Sequence, residues 1–137
     1  MQHSNYLFVY GSLRSGFKSS AYEYITKYFT FVAHSKARGI LYNLGTHPVA
    51  KPTTDDKFIV GELYVVSNPN FASYAFAQLD DYEGIEVEEN TIPEYIKSLT
   101  EVEVDEQVFT ATVYWYNGNT SHAPIIESGD VMDFKGL

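Results

Sequence analysis

The stretch Phe58-Ile59-Val60-Gly61-Glu62-Leu63-Tyr64-Val65-Val66 constrains the fold more than any other. It is apolar almost throughout, the pattern of a strand covered on both faces rather than one with a wet side. A sheet built around it needs further layers of protein. Gly61, set inside the run, predicts a bulge, a bend or a close backbone approach.

Other strands are legible around it. Leu7 to Tyr10 is an apolar run that stops at Gly11. Phe29 to Ala33 and Gly39 to Leu44 read as two separate strands, and the Pro48/Pro52 segment as a loop or edge strand. Tyr95 to Asp105 sets Val102 and Val104 against Glu101, Glu103 and Asp105. In Val108 to Tyr116, Phe109, Ala111, Val113 and Trp115 share one face, while Thr110, Thr112, Tyr114 and Tyr116 share the other. The closeness of these last two strands predicts an antiparallel hairpin.

Two helices are expected. Ser20 and Glu23 have capping-box spacing, which places a short helix from about Ser20 to Lys27. Asn68-Pro69 supplies an N-cap and an N1 proline. Phe71, Tyr74, Ala75, Leu79 and Tyr82 then recur at helical intervals, interrupted by Gln78, as far as Gly84. Helices do not alternate regularly with strands. The expected fold is therefore α+β, a small, mixed, mostly antiparallel sheet curled into a barrel-like core with two short helices outside. With 137 residues and no linker or repeat, one domain over 1–137 is expected.

Composition narrows function. The formal charge of −9 disfavours nucleic acid and anionic membranes as partners. The absence of cysteine removes disulfides, thiolate metal sites and a Cys nucleophile together. No leader pattern and no long apolar segment is seen, so a cytoplasmic location is expected.

Two places could carry chemistry. At Tyr10-Gly11-Ser12-Leu13 the chain leaves a strand through glycine, and such a turn can aim backbone N–H groups at an anion or oxyanion. Local sequence alone favours an ordinary Gly-Ser turn. Glu83 falls at the last turn of the second helix, where the negative end of the dipole raises a carboxyl pKa toward the range of a general base. Local sequence alone favours a surface glutamate before a C-cap glycine. No G-x-S-x-G elbow, P-loop or His pair at zinc-ligand spacing is present.

Taken together the motifs resemble the γ-glutamylcyclotransferase-like, or AIG2-like, family. Phe8 to Gly16 is similar to its N-terminal signature, and Gly39 to Pro48 to its G-x-L-Y-x-L-G-x-x-P segment. Val60-Gly61-Glu62-Leu63-Tyr64, Leu79 to Gly84 and Ala111 to Tyr116 resemble V-x-G-E-L-Y, L-D-x-x-E-G and A-x-V-Y-x-Y. Lys97 stands where the family often has arginine, and Val131 where it often has tryptophan.

The resemblance implies cyclisation of a small γ-glutamyl compound to 5-oxoproline with release of an amine or amino acid. The substrate's own α-amine is the nucleophile, so no cofactor and no metal is implied. By resemblance Glu83 is the base, Tyr10, Gly11, Ser12 and Leu13 form the substrate cradle, and Tyr114 contacts substrate. Tyr116 and Tyr42 are weaker candidates. The alternatives are a non-catalytic binding or regulatory module and another amide-cleaving or acyl-transfer enzyme. Oligomeric state is not legible.

Overall fold

The computed structural model describes residues 5–10, 27–44, 48–82 and 95–130. Six strands form the sheet: β1 (Tyr6–Val9), β2 (Phe29–Asn43), β3 (Pro48–Pro52), β4 (Phe58–Val66), β5 (Tyr95–Val104) and β6 (Gln107–Tyr116). Their order is β3-β2-β4-β1-β6-β5, and β2 also pairs with β5. Strands β2, β4, β1, β6 and β5 thus close into a five-stranded barrel, with β3 outside it on β2. All pairings are antiparallel except β1 with β6.

Strand β4 occupies the place its apolar sequence demands, between β1 and β2. Gly61 is a close approach: a Cβ there would collide with the Val9 carbonyl oxygen and the Phe8 ring. Alternation divides the side chains. Phe8, Tyr10, Ala37, Leu41, Ile59, Leu63, Val102, Ala111, Val113 and Trp115 fill the barrel. Full burial of each larger apolar side chain contributes roughly 1.5–3 kcal/mol. Leu7, Val9, Phe29, Tyr64, Val66 and Tyr114 point outward into a second cluster with Ala72, Ala75 and Phe76.

Those last three belong to the helix α1 (Ala72–Tyr82), which follows a 3-10 turn at Pro69–Phe71. Asn68 is its N-cap, accepting a hydrogen bond on Oδ1 from the Asn70 N–H at 3.0 Å. The expected stripe is rotated. Phe71 and Tyr74 are 55% and 52% exposed, and the helix packs instead through Ala72, Ala75 and Phe76. Small alanines bring the helix close to the sheet, so it turns that narrow face inward. Of the other expected helix, Lys27 and Tyr28 are helical; Ser20 to Thr26 lie outside the described residues.

The two expected strands at Phe29 to Ala33 and Gly39 to Leu44 are one strand of 15 residues. Ser35 and Ala37 point into the barrel, where small side chains fit. Lys36 and Arg38 point out and lie over the Phe58 ring at 4.5 and 5.0 Å. The bridging residues looked polar because the barrel there has room for little. Pro48–Pro52 is an edge strand, the second of the two expected alternatives.

A segment near the C-terminus straps the barrel where β2 swings from β4 toward β3. Asn43 N–H donates to Pro124 O, Ile126 N–H to Leu41 O and Val60 N–H to Gly129 O, each at 2.8 Å. Gly129 makes the closing turn with φ +71°, in the left-handed region. Among the described residues no helix is long and apolar enough to cross a membrane.

Candidate functional site

The end of β1 organises the site. Tyr10 follows its last residue, with its ring inside the barrel and stacked on Trp115, centroids 6.1 Å apart. The Tyr10 hydroxyl donates to the main-chain carbonyl of Tyr114 at 2.6 Å in a buried setting. Two of the residues singled out in sequence are therefore joined directly. Trp115 is held in turn: its Nε1–H lies 3.0 Å from Ser98 Oγ and 3.4 Å from Thr100 Oγ1.

The outward face at this level is a row of side chains set by register. His34 pairs with Glu62, and Glu62 with Val9. The β1–β6 register, extended two residues from Leu7 and Thr112, brings Val9 level with Tyr114, which pairs with Lys97. Tyr114 is 4% exposed and packs with Leu7, Val9 and Tyr64. Helix α1 covers the same cluster.

Gly11, Ser12, Leu13 and Glu83 lie outside the described residues. In sequence the first three directly follow Tyr10, and Glu83 directly follows Tyr82, the last residue of α1. The weaker candidates Tyr42 and Tyr116 are half-buried, Tyr116 two positions beyond Tyr114 on β6 and Tyr42 on β2. Tyr42 bridges to Ile125 on the strap, and Tyr116 packs edge-on to Tyr95 at 5.7 Å.

One residue gained importance only in three dimensions. Glu62 is 1% exposed, and its Oε1 accepts a 2.9 Å hydrogen bond from the Tyr64 hydroxyl. Its signal in sequence was a lone carboxylate within an otherwise apolar central strand. Among the described residues no three His, Asp or Glu side chains converge as metal ligands would.

The sequence pattern of gamma-glutamyl cyclotransferase, AIG2-like proteins matches residues 7–132, spanning β1, Glu83 and β6. The chain belongs to the gamma-glutamyl cyclotransferase, AIG2-like family. Solved structures agree on the fold. An AIG2-like protein from Mus musculus superposes with a TM-score of 0.69 at 18% identity, over 99% of this chain and 97% of the other. The ytfP protein from Escherichia coli gives 0.62 at 27% identity, over 93% and 96%. YkqA from Bacillus subtilis gives 0.66 at 23% identity over 93% of this chain, which spans only 39% of YkqA. No curated protein is a significant match. Membership in the AIG2-like family agrees with the closed barrel, in which β1 lies between β4 and β6.

Proposed function

We propose that this AIG2-like chain is a γ-glutamyl cyclotransferase acting on a small γ-glutamyl compound. The observation that carries the reading is the family match across residues 7–132, which includes Gly11, Ser12, Leu13 and Glu83. The Tyr10–Tyr114 hydrogen bond supports it, because it ties the end of β1 to the proposed substrate wall.

In this reading backbone N–H groups at Gly11, Ser12 and Leu13 hold the substrate's α-carboxylate or the developing oxyanion. Glu83 takes a proton from the α-ammonium. The freed amine attacks the γ-carbonyl, forming the ring C–N bond. The bond to the leaving nitrogen then breaks as Glu83 returns the proton to it, and the second proton shed by the ring nitrogen ends on the released amine, which departs as its ammonium. No water is consumed, and 5-oxoproline and an amine or amino acid are the products. Holding the substrate folded supplies the rate, since favourable intramolecular geometry is worth on the order of 7–11 kcal/mol. Tyr114, nearly enclosed, offers the substrate only an edge of its side chain. Tyr10 supports the cradle from inside the barrel.

The test is a panel of γ-glutamyl amino acids and amines, with 5-oxoproline detected by mass spectrometry. Release of 5-oxoproline by the wild type is expected, and its loss in a folded Glu83→Gln variant. Free glutamate as the product would replace the reading with an amide hydrolase. Binding without turnover would replace it with a binding module.

A further inference from the structure

Strand β2 turns the main-chain groups of alternate residues to opposite sides. Gly39 N–H donates to Lys57 O at 3.0 Å, Leu41 O accepts from Ile126 N–H at 2.8 Å, and Asn43 N–H donates to Pro124 O at 2.8 Å. The polar groups of Gly39, Leu41 and Asn43 therefore face β4 and the strap. Strand β3 lies on the other side, and its Pro52 and Pro48, opposite Gly39 and Asn43, have no N–H to offer. Two groups on the strap side are left over. The Gly39 carbonyl and the Leu41 N–H have no hydrogen-bond partner among the described residues. Both residues are buried, and orphaned main-chain groups in a buried setting are rare and costly. The path of the chain explains them. Strand β4 parts from β2 at Phe58, and the strap turns off at Ile126, whose carbonyl accepts from the Gly129 N–H at 3.0 Å.

A cavity of about 290 Å³ occupies the gap between these two departures. Gly39 and Leu41 line it together with Ile40, Phe58, Ile125 and Ile126, whereas Tyr10 and Tyr114 are not part of its wall. Its volume is at the low end for small-molecule sites. The spacing of the two orphaned groups specifies the ligand. A carbonyl and an N–H two residues further on are the pair through which a strand holds one residue of a parallel neighbour, accepting from its N–H and donating to its carbonyl. The charges beside the cavity cancel, because Arg38 Nη1 lies 2.6 Å from Asp56 and Lys57 Nζ lies 3.8 Å from Glu127. An uncharged ligand is thus preferred over an ion of either sign. Ile125, 40% exposed, adds an apolar surface to the same wall.

We propose that this cavity is a second binding site, for a small neutral molecule built on one amide-flanked residue, an N-acylated amino-acid amide. The ligand's N–H donates to the Gly39 carbonyl, and its carbonyl accepts from the Leu41 N–H. The site is independent of the cyclotransferase reading and stands whether or not the chain turns over γ-glutamyl compounds.

The probe is N-acetyl-alanine methylamide, titrated into the full nitrogen-15-labelled chain and followed by NMR. A saturable shift of the Leu41 amide proton is expected, with a Kd on the order of 1 mM. N-acetyl-N-methylalanine methylamide lacks the N–H given to Gly39 and should bind roughly fivefold or more weakly. Ile125→Trp narrows the cavity from an exposed position and should weaken the first probe by about tenfold. If Ile125→Trp does not fold, Ser128→Trp, also exposed and on the same wall, takes its place. A Leu41 amide that does not shift means that water alone occupies the gap, and it overturns the proposal. Equal binding of the N-methylated probe, or undiminished binding in the folded tryptophan variant, overturns it too.

Discussion

The Tyr10 hydroxyl donates a 2.6 Å hydrogen bond to the carbonyl of Tyr114, a residue 104 positions away in sequence. The bond crosses from the end of β1 to β6. Tyr10→Phe keeps the ring that stacks on Trp115 and removes this bond. The variant should fold and lose about 1–2 kcal/mol of stability, because a buried carbonyl loses one of its donors. Urea denaturation reads the loss as a lower midpoint at unchanged slope.

Ser35 predicts a change of the opposite sign. Its Oγ is buried without a hydrogen-bond partner. Ser35→Ala removes one atom and its desolvation cost, so stability should rise by about 1 kcal/mol. The same denaturation experiment should show a higher midpoint. A lower one would mean that the hydroxyl is bound to ordered water.

Gly61→Ala should be far more damaging than its size suggests. The added methyl meets the Val9 carbonyl oxygen, part of the backbone that builds the barrel, and the Phe8 ring in its core. Neither can move without separating β1 from β4. A loss at or above the upper end of the roughly 1–3 kcal/mol typical of overpacking is expected, read as lost soluble yield or a lowered Tm.

The Arg38–Asp56 ion pair, at 2.6 Å, predicts the absence of a pH effect. The hydrogen bond that the Arg38 guanidinium donates to the Asp56 carboxylate is the main influence raising the Arg38 pKa above its ordinary value, and it outweighs desolvation. A raised cationic pKa gives a contribution fully present below the unfolded value and lost only as pH rises through the folded one. That window is strongly alkaline. Asp56→Asn should therefore leave the shape of the stability–pH curve unchanged between about pH 5 and 9. Thermal melts across that range check it.

Much of the architecture was legible in particular residues. The apolar run of β4, the alternation in β6 and the Asn68-Pro69 helix start each carry local physics strong enough to survive tertiary context. The continuity of β2 was hidden because Ser35 and Ala37 face a tight interior that admits only small side chains. The register of α1 was misread because its packed face is Ala72, Ala75 and Phe76, while Tyr74 of the expected stripe stays exposed. The strap over residues 119–130 was invisible, since it borrows backbone hydrogen bonds from β2 and β4 and has no periodicity of its own. Of the candidate site residues singled out in sequence, the structure joins Tyr10 and Tyr114 by a hydrogen bond. Glu62 was passed over within a family motif.

The sequence by itself determined the family, the central strand and the chemistry on offer: carboxylates, tyrosines, a glycine turn and no thiol. Those depend on residue identity and spacing, which need no third dimension. Only the tertiary structure decided that the sheet closes through β2 and β5, that Tyr10 reaches the Tyr114 carbonyl, and that Glu62 is buried beside Val9. Each of these joins residues distant along the chain. Such contacts are set by how strands pair and which face turns inward, and burial is a property of the assembled barrel.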